Sequence, residues 1–283
     1  MSLIDHYAQQ LDSLKQQGNL RQFTANRQQG RRIQIGGRQM LNLASNDYLG
    51  LASDIQLREQ FFDETPNAQR WMSSSSSRLL TGNFPEYEQL EASLSRAFHG
   101  RAALLFNSGY HMNIGILPAL SDSKTLILAD KLVHASLIDG IRLSSAKCIR
   151  YRHNNYEQLE QLLSAHHAEY EKVIVVTESI FSMDGDLAPL PALLALARTY
   201  DAFLIVDDAH GFGVLGPQGR GSLAHFALPA DPRLILMGTL GKAAGVGGAF
   251  VAASAEVIET LICRARSYIF TTGAPPLLAE TLL

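Results

Sequence analysis

Between Ala102 and Ala253 the chain repeats one device, a short apolar run rich in β-branched residues followed by a stretch with helical periodicity. The runs begin at Ala102 (AALLF), Thr125 (TLILAD), Lys147 (KCIRY), Lys172 (KVIVVTE), Ala202 (AFLIVDD), Leu234 (LILMGT) and Gly248 (GAFVAAS), and helices are expected near 135–143, 155–166 and 190–200. Apolar runs without in-and-out alternation are strands buried on both faces, and strands joined through helices run parallel. The expected fold is therefore α/β: a mostly parallel seven-stranded sheet with helices on both faces. Ligands bind such sheets outside the carboxyl ends of the strands. That rule singles out Asn107-Ser108-Gly109-Tyr110, Asp130, Glu178, Asp207-Asp208 and Thr239.

The flanking segments read differently. Ile4, Tyr7, Leu11 and Leu14 recur at helical spacing, and RRIQIGGRQMLNL alternates around Gly36-Gly37 as a short hairpin does. Pro85 opens a helix with Tyr87, Leu90, Leu94 and Phe98 on one face, stopped by Gly100. The serine run Ser73–Ser77, set beside Trp71 and Leu79-Leu80, suits either a flexible linker or an ordered, hydroxyl-lined loop.

Charge narrows the partners. Twenty-four Lys and Arg against 27 Asp and Glu leave a net charge of −3, and no cationic run exceeds Arg31-Arg32. This excludes an electrostatic footprint for nucleic acid or an anionic membrane. No apolar stretch approaches the ~18 residues a membrane span needs, and the first residues carry charges in place of an apolar leader, so a cytoplasmic protein is expected. Cys148 and Cys263 lie far apart without ligand spacing and read as reduced, inert thiols, with no disulfide and no metal site.

Several familiar motifs fail on inspection. Gly211, Gly213 and Gly216 fit G-x-G-x-x-G, but Pro217, Gly219 and Gly221 forbid the helix that this fingerprint must open. Gly241-Lys242 lacks both the phosphate-cradling glycine and the magnesium-binding hydroxyl of a P-loop. Thr239-x-x-Lys242 lacks the companions of an S-x-x-K acylation site.

What remains is a constellation at the strand ends. Lys242, between Gly241 and Ala243-Ala244-Gly245 just past an apolar strand, is poorly placed to be a solvated charge. Desolvation lowers a lysine pKa and makes the amine a nucleophile toward a carbonyl. Chemistry on pyridoxal 5'-phosphate (PLP) needs such a lysine, a carboxylate for the pyridine nitrogen, a donor to the ring hydroxyl, an aromatic on the ring face and a helix N-terminus for the phosphate. Asp207 suits the carboxylate role, and Asn107-Ser108-Gly109-Tyr110 starts a helix after AALLF, although a simple helix cap reads equally well there.

The segments NDYLGL (46–51), SGY (108–110), HAS (134–136), FSMDGD (181–186), DDAHGFGVLGPQGRG (207–221) and GTLGK (238–242) together resemble the α-oxoamine synthase family, fold-type I PLP enzymes, from about residue 20 onward. The resemblance implies that Lys242 carries the cofactor, Asp207 pairs with the pyridinium and His210 donates to the ring hydroxyl. It implies that His134 stacks on the ring and helps to handle substrate, that Ser182, Thr239 and the Gly109-Tyr110 backbone serve the cofactor and its phosphate, and that Arg21 meets the acyl substrate. Thr271 and Thr272 would reach a neighbouring subunit's phosphate, so a homodimer is expected.

The pattern favours members that condense L-alanine with a pimeloyl thioester, pimeloyl-ACP or pimeloyl-CoA, with loss of carbon dioxide in biotin biosynthesis. Condensation of glycine with acetyl-CoA and a non-catalytic partner subunit remain as alternatives. By this reading residues 1–50 form an N-terminal helix and hairpin segment and 51–275 the PLP-binding α/β/α domain. Residues 276–283 would start a further C-terminal domain, which in the family brings a carboxylate-binding arginine, so the chain reads as a fragment.

Overall fold

The structure, a computed structural model, describes Ser2–Leu283. Contacts within the chain group it into two units, residues up to Ser45 and Asn46–Leu283.

In the first unit, α1 (Leu3–Gln16) begins with a capping box: the Asp5 N–H donates to Ser2 Oγ at 3.1 Å and the Ser2 N–H to Asp5 Oδ2 at 2.7 Å. An antiparallel meander follows, β1 (Asn26–Gln29), β2 (Arg32–Ile35) and β3 (Arg38–Leu41). The expected hairpin is β2–β3, turned by Gly36 and Gly37 at φ 55° and 77°. β1 is an addition, because NRQQ carries no apolar alternation by which a strand could be recognised.

The second unit opens with α2 (Ile55–Glu64) and α3 (Pro85–Ala97) and continues through β4 (Ala102–Phe106), α4 (Gly109–Leu120), β5 (Thr125–Asp130), α5 (Ala135–Leu143), β6 (Lys147–Tyr151), α6 (Tyr156–His166), β7 (Lys172–Glu178), α7 (Leu190–Thr199) and β8 (Phe203–Asp207). It closes with α8 (Gly221–His225), β9 (Leu234–Thr239), β10 (Ala249–Ala253), α9 (Ala255–Arg264), α10 (Arg266–Ile269) and α11 (Pro276–Glu280). The seven strands lie in the order β4-β10-β9-β8-β7-β5-β6. Only β10 runs against its neighbours; the pairs β9-β8, β8-β7, β7-β5 and β5-β6 are parallel. The expected mostly parallel sheet is thus present.

Successive strand residues point to opposite faces, and each face has its own core. Leu126, Leu128, Val175, Leu204, Val206 and Leu236 pack with Leu90 and Leu94 of α3, Leu159 and Leu163 of α6 and Leu193 of α7. Ile127, Ile174, Val176, Ile205, Ile235 and Met237 pack with Met112, Ile116 and Leu117 of α4, Leu137 of α5 and Leu261 of α9. The serine run is an ordered loop: Ser74 is buried with its Oγ 2.9 Å from the Gly273 carbonyl, and Ser77 Oγ donates to the Ile269 carbonyl at 3.0 Å. Cys148 is half-buried and Cys263 exposed, both as free thiols, so burial explains the inertness expected of the first and not of the second.

Candidate active site

The carboxyl ends of β7, β8 and β9 lie side by side, with Glu178 in register with Asp207. A cavity of about 590 Å³ opens there, lined by Gly109, Tyr110, His134, Asp207, His210, Thr239 and Lys242, all singled out from sequence for these roles. Asn113, Ser136 and Glu178 complete the polar lining.

Lys242 sits on the connection from β9 to β10. Backbone bonds pin that connection: the Leu240 N–H donates to the Gly248 carbonyl at 2.9 Å, Val246 to Leu240 at 3.0 Å and Gly245 to Lys242 at 3.0 Å. The half-buried Lys242 Nζ lies 2.8 Å from His210 Nε2. Burial pulls the Lys242 amine below its ordinary range, with Asp207 and Glu178 offsetting part of the effect. Burial and then the neighbouring Lys242 charge push His210 down to about 4.

Asp207 ends β8 almost fully buried, and its carboxylate is held from two sides. The Ala209 N–H donates to Oδ1 at 3.1 Å, and Asn113 Nδ2, reaching across from α4, donates to Oδ2 at 2.9 Å. The second Asn113 amide hydrogen goes to Ser136 Oγ at 2.9 Å, and Ser136 Oγ lies 2.7 Å from His134 Nδ1. The Ser136 N–H also points at that nitrogen, at 3.2 Å. His134, exposed at the start of α5, is thereby tied to Asp207 through two buried side chains. Glu178 is buried too, and desolvation followed by the Asp207 charge raises it to about 8. Its Oε1 has no partner, nor does Asn113 Oδ1.

Asp208, the second acid of the Asp207-Asp208 pair, turns away from the cavity. It accepts from the Ser179 hydroxyl and, at 2.9 Å, from the Ser222 N–H, and burial raises it to about 6. A Cβ on Gly211 would come within 2.1 Å of Asp208 Oδ1, and one on Gly221, at φ 77°, within 2.0 Å of Oδ2. These glycines let backbone close around a carboxylate, which accounts for the misleading G-x-G-x-x-G pattern; no helix opens before α8.

Other expected residues fall elsewhere. The Ser182 side chain is exposed, although its backbone N–H helps to hold the Glu178 carboxylate. Arg21 is exposed within the first unit. Thr271 Oγ1 and the Thr272 carbonyl accept from Asn107 Nδ2 at 3.3 and 2.7 Å, on the strand end that leads into α4.

This donor set fits PLP. A depressed amine and a buried, doubly hydrogen-bonded carboxylate share one cavity, which also holds unpartnered buried oxygens and the N-terminus of α4. That helix is 12 residues long and is capped by Ser108, whose Oγ accepts from the His111 N–H. Beside Gly109 there is room: a Cβ there would meet only Thr239, at 3.8 Å.

Comparison with known proteins agrees. The family described as aminotransferase class I and II matches residues 38–283, and the chain belongs to that family. A serine palmitoyltransferase from S. paucimobilis with bound PLP–myriocin aldimine superposes with a TM-score of 0.85 at 27% identity, covering 100% of this chain and 71% of that one. The 8-amino-7-oxononanoate synthase of Herminiimonas arsenicoxydans is 51% identical over 278 residues, 97% of this chain and 70% of its own. That of Haemophilus ducreyi is 49% identical over 282 residues, 97% and 72% of the two chains. The crystal structure of the Francisella tularensis 8-amino-7-oxononanoate synthase matches with a TM-score of 0.69 at 34% identity, over 84% of this chain and 66% of that one. The chain is accordingly a PLP-dependent acyltransferase of fold type I, similar to the synthases that serve biotin biosynthesis. Among the described residues no helix is long and apolar enough to cross a membrane, and no cluster of three or more His, Cys, Asp or Glu is arranged to hold a metal ion.

Proposed function

We propose that the chain condenses L-alanine with a pimeloyl thioester, carried on ACP or CoA, releasing carbon dioxide and giving 8-amino-7-oxononanoate. The observation that carries this reading is the meeting of Lys242, Asp207, His210 and His134 around one cavity, in a chain half identical to enzymes named for that product.

Bound PLP supplies an electron-poor ring that accepts the electron pair left when the amino-acid α-carbon loses its proton. Lys242 holds the cofactor and, once free, takes that proton; its lowered pKa keeps part of it unprotonated for both tasks. Asp207 keeps a charge facing the ring nitrogen because Asn113 and Ala209 satisfy its lone pairs without supplying a counter-charge. Glu178, raised by burial and by Asp207 to about 8, stays largely protonated near neutral pH, so that Asp207 is the anion on this wall.

His210 donates to the ring hydroxyl, and His134, steadied through Ser136, stacks on the ring and meets the substrate carboxylate. Gly109, Tyr110, Thr239 and the α4 N-terminus receive the phosphate, with Ser182 close by. Arg21 meets the acyl chain. Two chains assemble as a homodimer in the cytoplasm, with Thr271 and Thr272 serving the second subunit's phosphate.

Supplying PLP, pimeloyl-CoA and carboxyl-labelled L-alanine tests the reading. Labelled carbon dioxide should appear in step with 8-amino-7-oxononanoate. Turnover of glycine with acetyl-CoA, and none with alanine, would overturn the substrate assignment.

A further inference from the structure

Lys242 and His210 belong to a longer chain of contacts. His210 Nε2 faces Lys242 Nζ at 2.8 Å, His210 Nδ1 faces Tyr48 Oη at 2.6 Å, and Tyr48 Oη lies 3.2 Å from Asn46 Oδ1. The two ends fix its polarity. An ammonium can only donate and an amide oxygen can only accept. While Lys242 is protonated, its N–H must therefore point at Nε2, the Nδ1–H at Tyr48 and the Tyr48 O–H at Asn46. Once Lys242 has lost a proton, the opposite order is available, with Tyr48 donating to Nδ1 and His210 presenting Nε2–H to the cavity. The chain also leads outward, since Lys242 and His210 are half-buried whereas Tyr48 is 42% exposed.

We propose that Tyr48 is a positioning residue that couples the tautomer of His210 to the protonation of Lys242 and passes the lysine proton to water. The balance is one proton. Lys242 gives a proton to Nε2, Nδ1 gives its own to Tyr48 Oη, and Tyr48 releases its former hydroxyl proton to solvent. His210 and Tyr48 are neutral before and after. His210 ends with Nε2–H, the donor that the proposed function requires toward the ring hydroxyl, and to that extent the inference rests on that reading.

Burial supports neutrality at both middle positions by lowering His210 to about 4 and raising the Tyr48 phenol. Lys242 faces Asp207 and Glu178, and His210 faces Lys242, Asp207 and His134. These groups set where on the pH scale the switch lies. Tyr48 is the group hydrogen-bonded to Nδ1 among the described residues.

The test is ¹⁵N NMR of histidine-labelled protein, with and without PLP, titrated from about pH 6 to about pH 10. In the unmodified protein without PLP, His210 should carry Nδ1–H at the acid end and Nε2–H at the alkaline end, with one midpoint that reports Lys242. In Tyr48→Phe the Nδ1–H form should be lost and the midpoint should fall by about one pH unit, the equivalent of one hydrogen bond, with circular dichroism unchanged. Nε2–H at every pH in the unmodified protein, or an unmoved midpoint in Tyr48→Phe, overturns the proposal. Should Tyr48→Phe not fold, Asn46→Ala must lower the midpoint, and no shift there overturns it equally. The PLP absorbance of the unmodified protein reports separately on Lys242 as the cofactor residue, so the two readings fail independently.

Discussion

Lys242 is where a single substitution separates binding from chemistry. Lys242→Ala removes the amine that a PLP aldehyde would meet, so borohydride should trap no cofactor on the protein and activity should fall by at least ~10²-fold. Mass spectrometry of the reduced protein checks this, and an adduct retained in Lys242→Ala would refute the assignment. Asp207→Asn keeps the shape of the β8 terminus and removes its charge. Cofactor should still bind, while exchange of the alanine α-proton for deuterium slows by roughly 10²-fold, the scale of losing one preorganised electrostatic partner. Both residues could be recognised from sequence because an amine or a carboxylate directly after an apolar strand is costly unless it is used. Asn113 and Ser136 could not. Their importance lies in bonds that join α4 to β8 and α4 to α5, and no local pattern announces a partner 94 positions away.

Three elements meet at His153, just beyond β6. Its Nδ1 lies 3.0 Å from Asp130 Oδ1 at the end of β5, and its Nε2 lies 2.7 Å from Asp186 Oδ2 in the loop that carries Ser182. Asn154, at φ 48°, donates its N–H to Asp130 Oδ2 at 2.8 Å and its amide to Asp186 Oδ2 at 2.7 Å. Partial burial alone would lower His153, but the two carboxylates outweigh it and hold the ring above its ordinary value. A raised histidine stabilises fully below its unfolded-state pKa of about 6.5, and that contribution is lost as pH rises through the higher folded value. Thermal unfolding should therefore show falling stability across that window. His153→Gln should remove the slope at a cost of up to about 1 kcal/mol below it; an unchanged slope in the variant would refute the coupling. Helices and strands were readable where periodicity is strong, as in α3, α6 and β7. β1 and the ordering of the serine run were not, since they depend on polar backbone pairing and on carbonyls at Ile269 and Gly273.

The molecule holds a cavity built from six elements, so cofactor binding should be felt by the whole second unit. At PLP one hundred times above its Kd the folded state gains about 2.7 kcal/mol, readable as a rise in Tm. Lys242→Ala should keep the smaller, non-covalent part of that rise, and equal shifts in both proteins would argue against a bond to Lys242. Seven strands flanked by helices were evident in the sequence, but their order was not, because it depends on which strands cross over and which turn back. β10 is the strand that turns back, between β4 and β9. Elsewhere the chain leaves a strand through a helix and has slack to take up. Here it returns from Leu240 to Gly248 with both ends bonded together, so one added residue in that stretch would carry the amine away from His210. Tolerance for insertions is thereby confined to the crossovers, and a chain of this design can diversify its substrate loops through evolution without disturbing the nitrogen on which the chemistry depends.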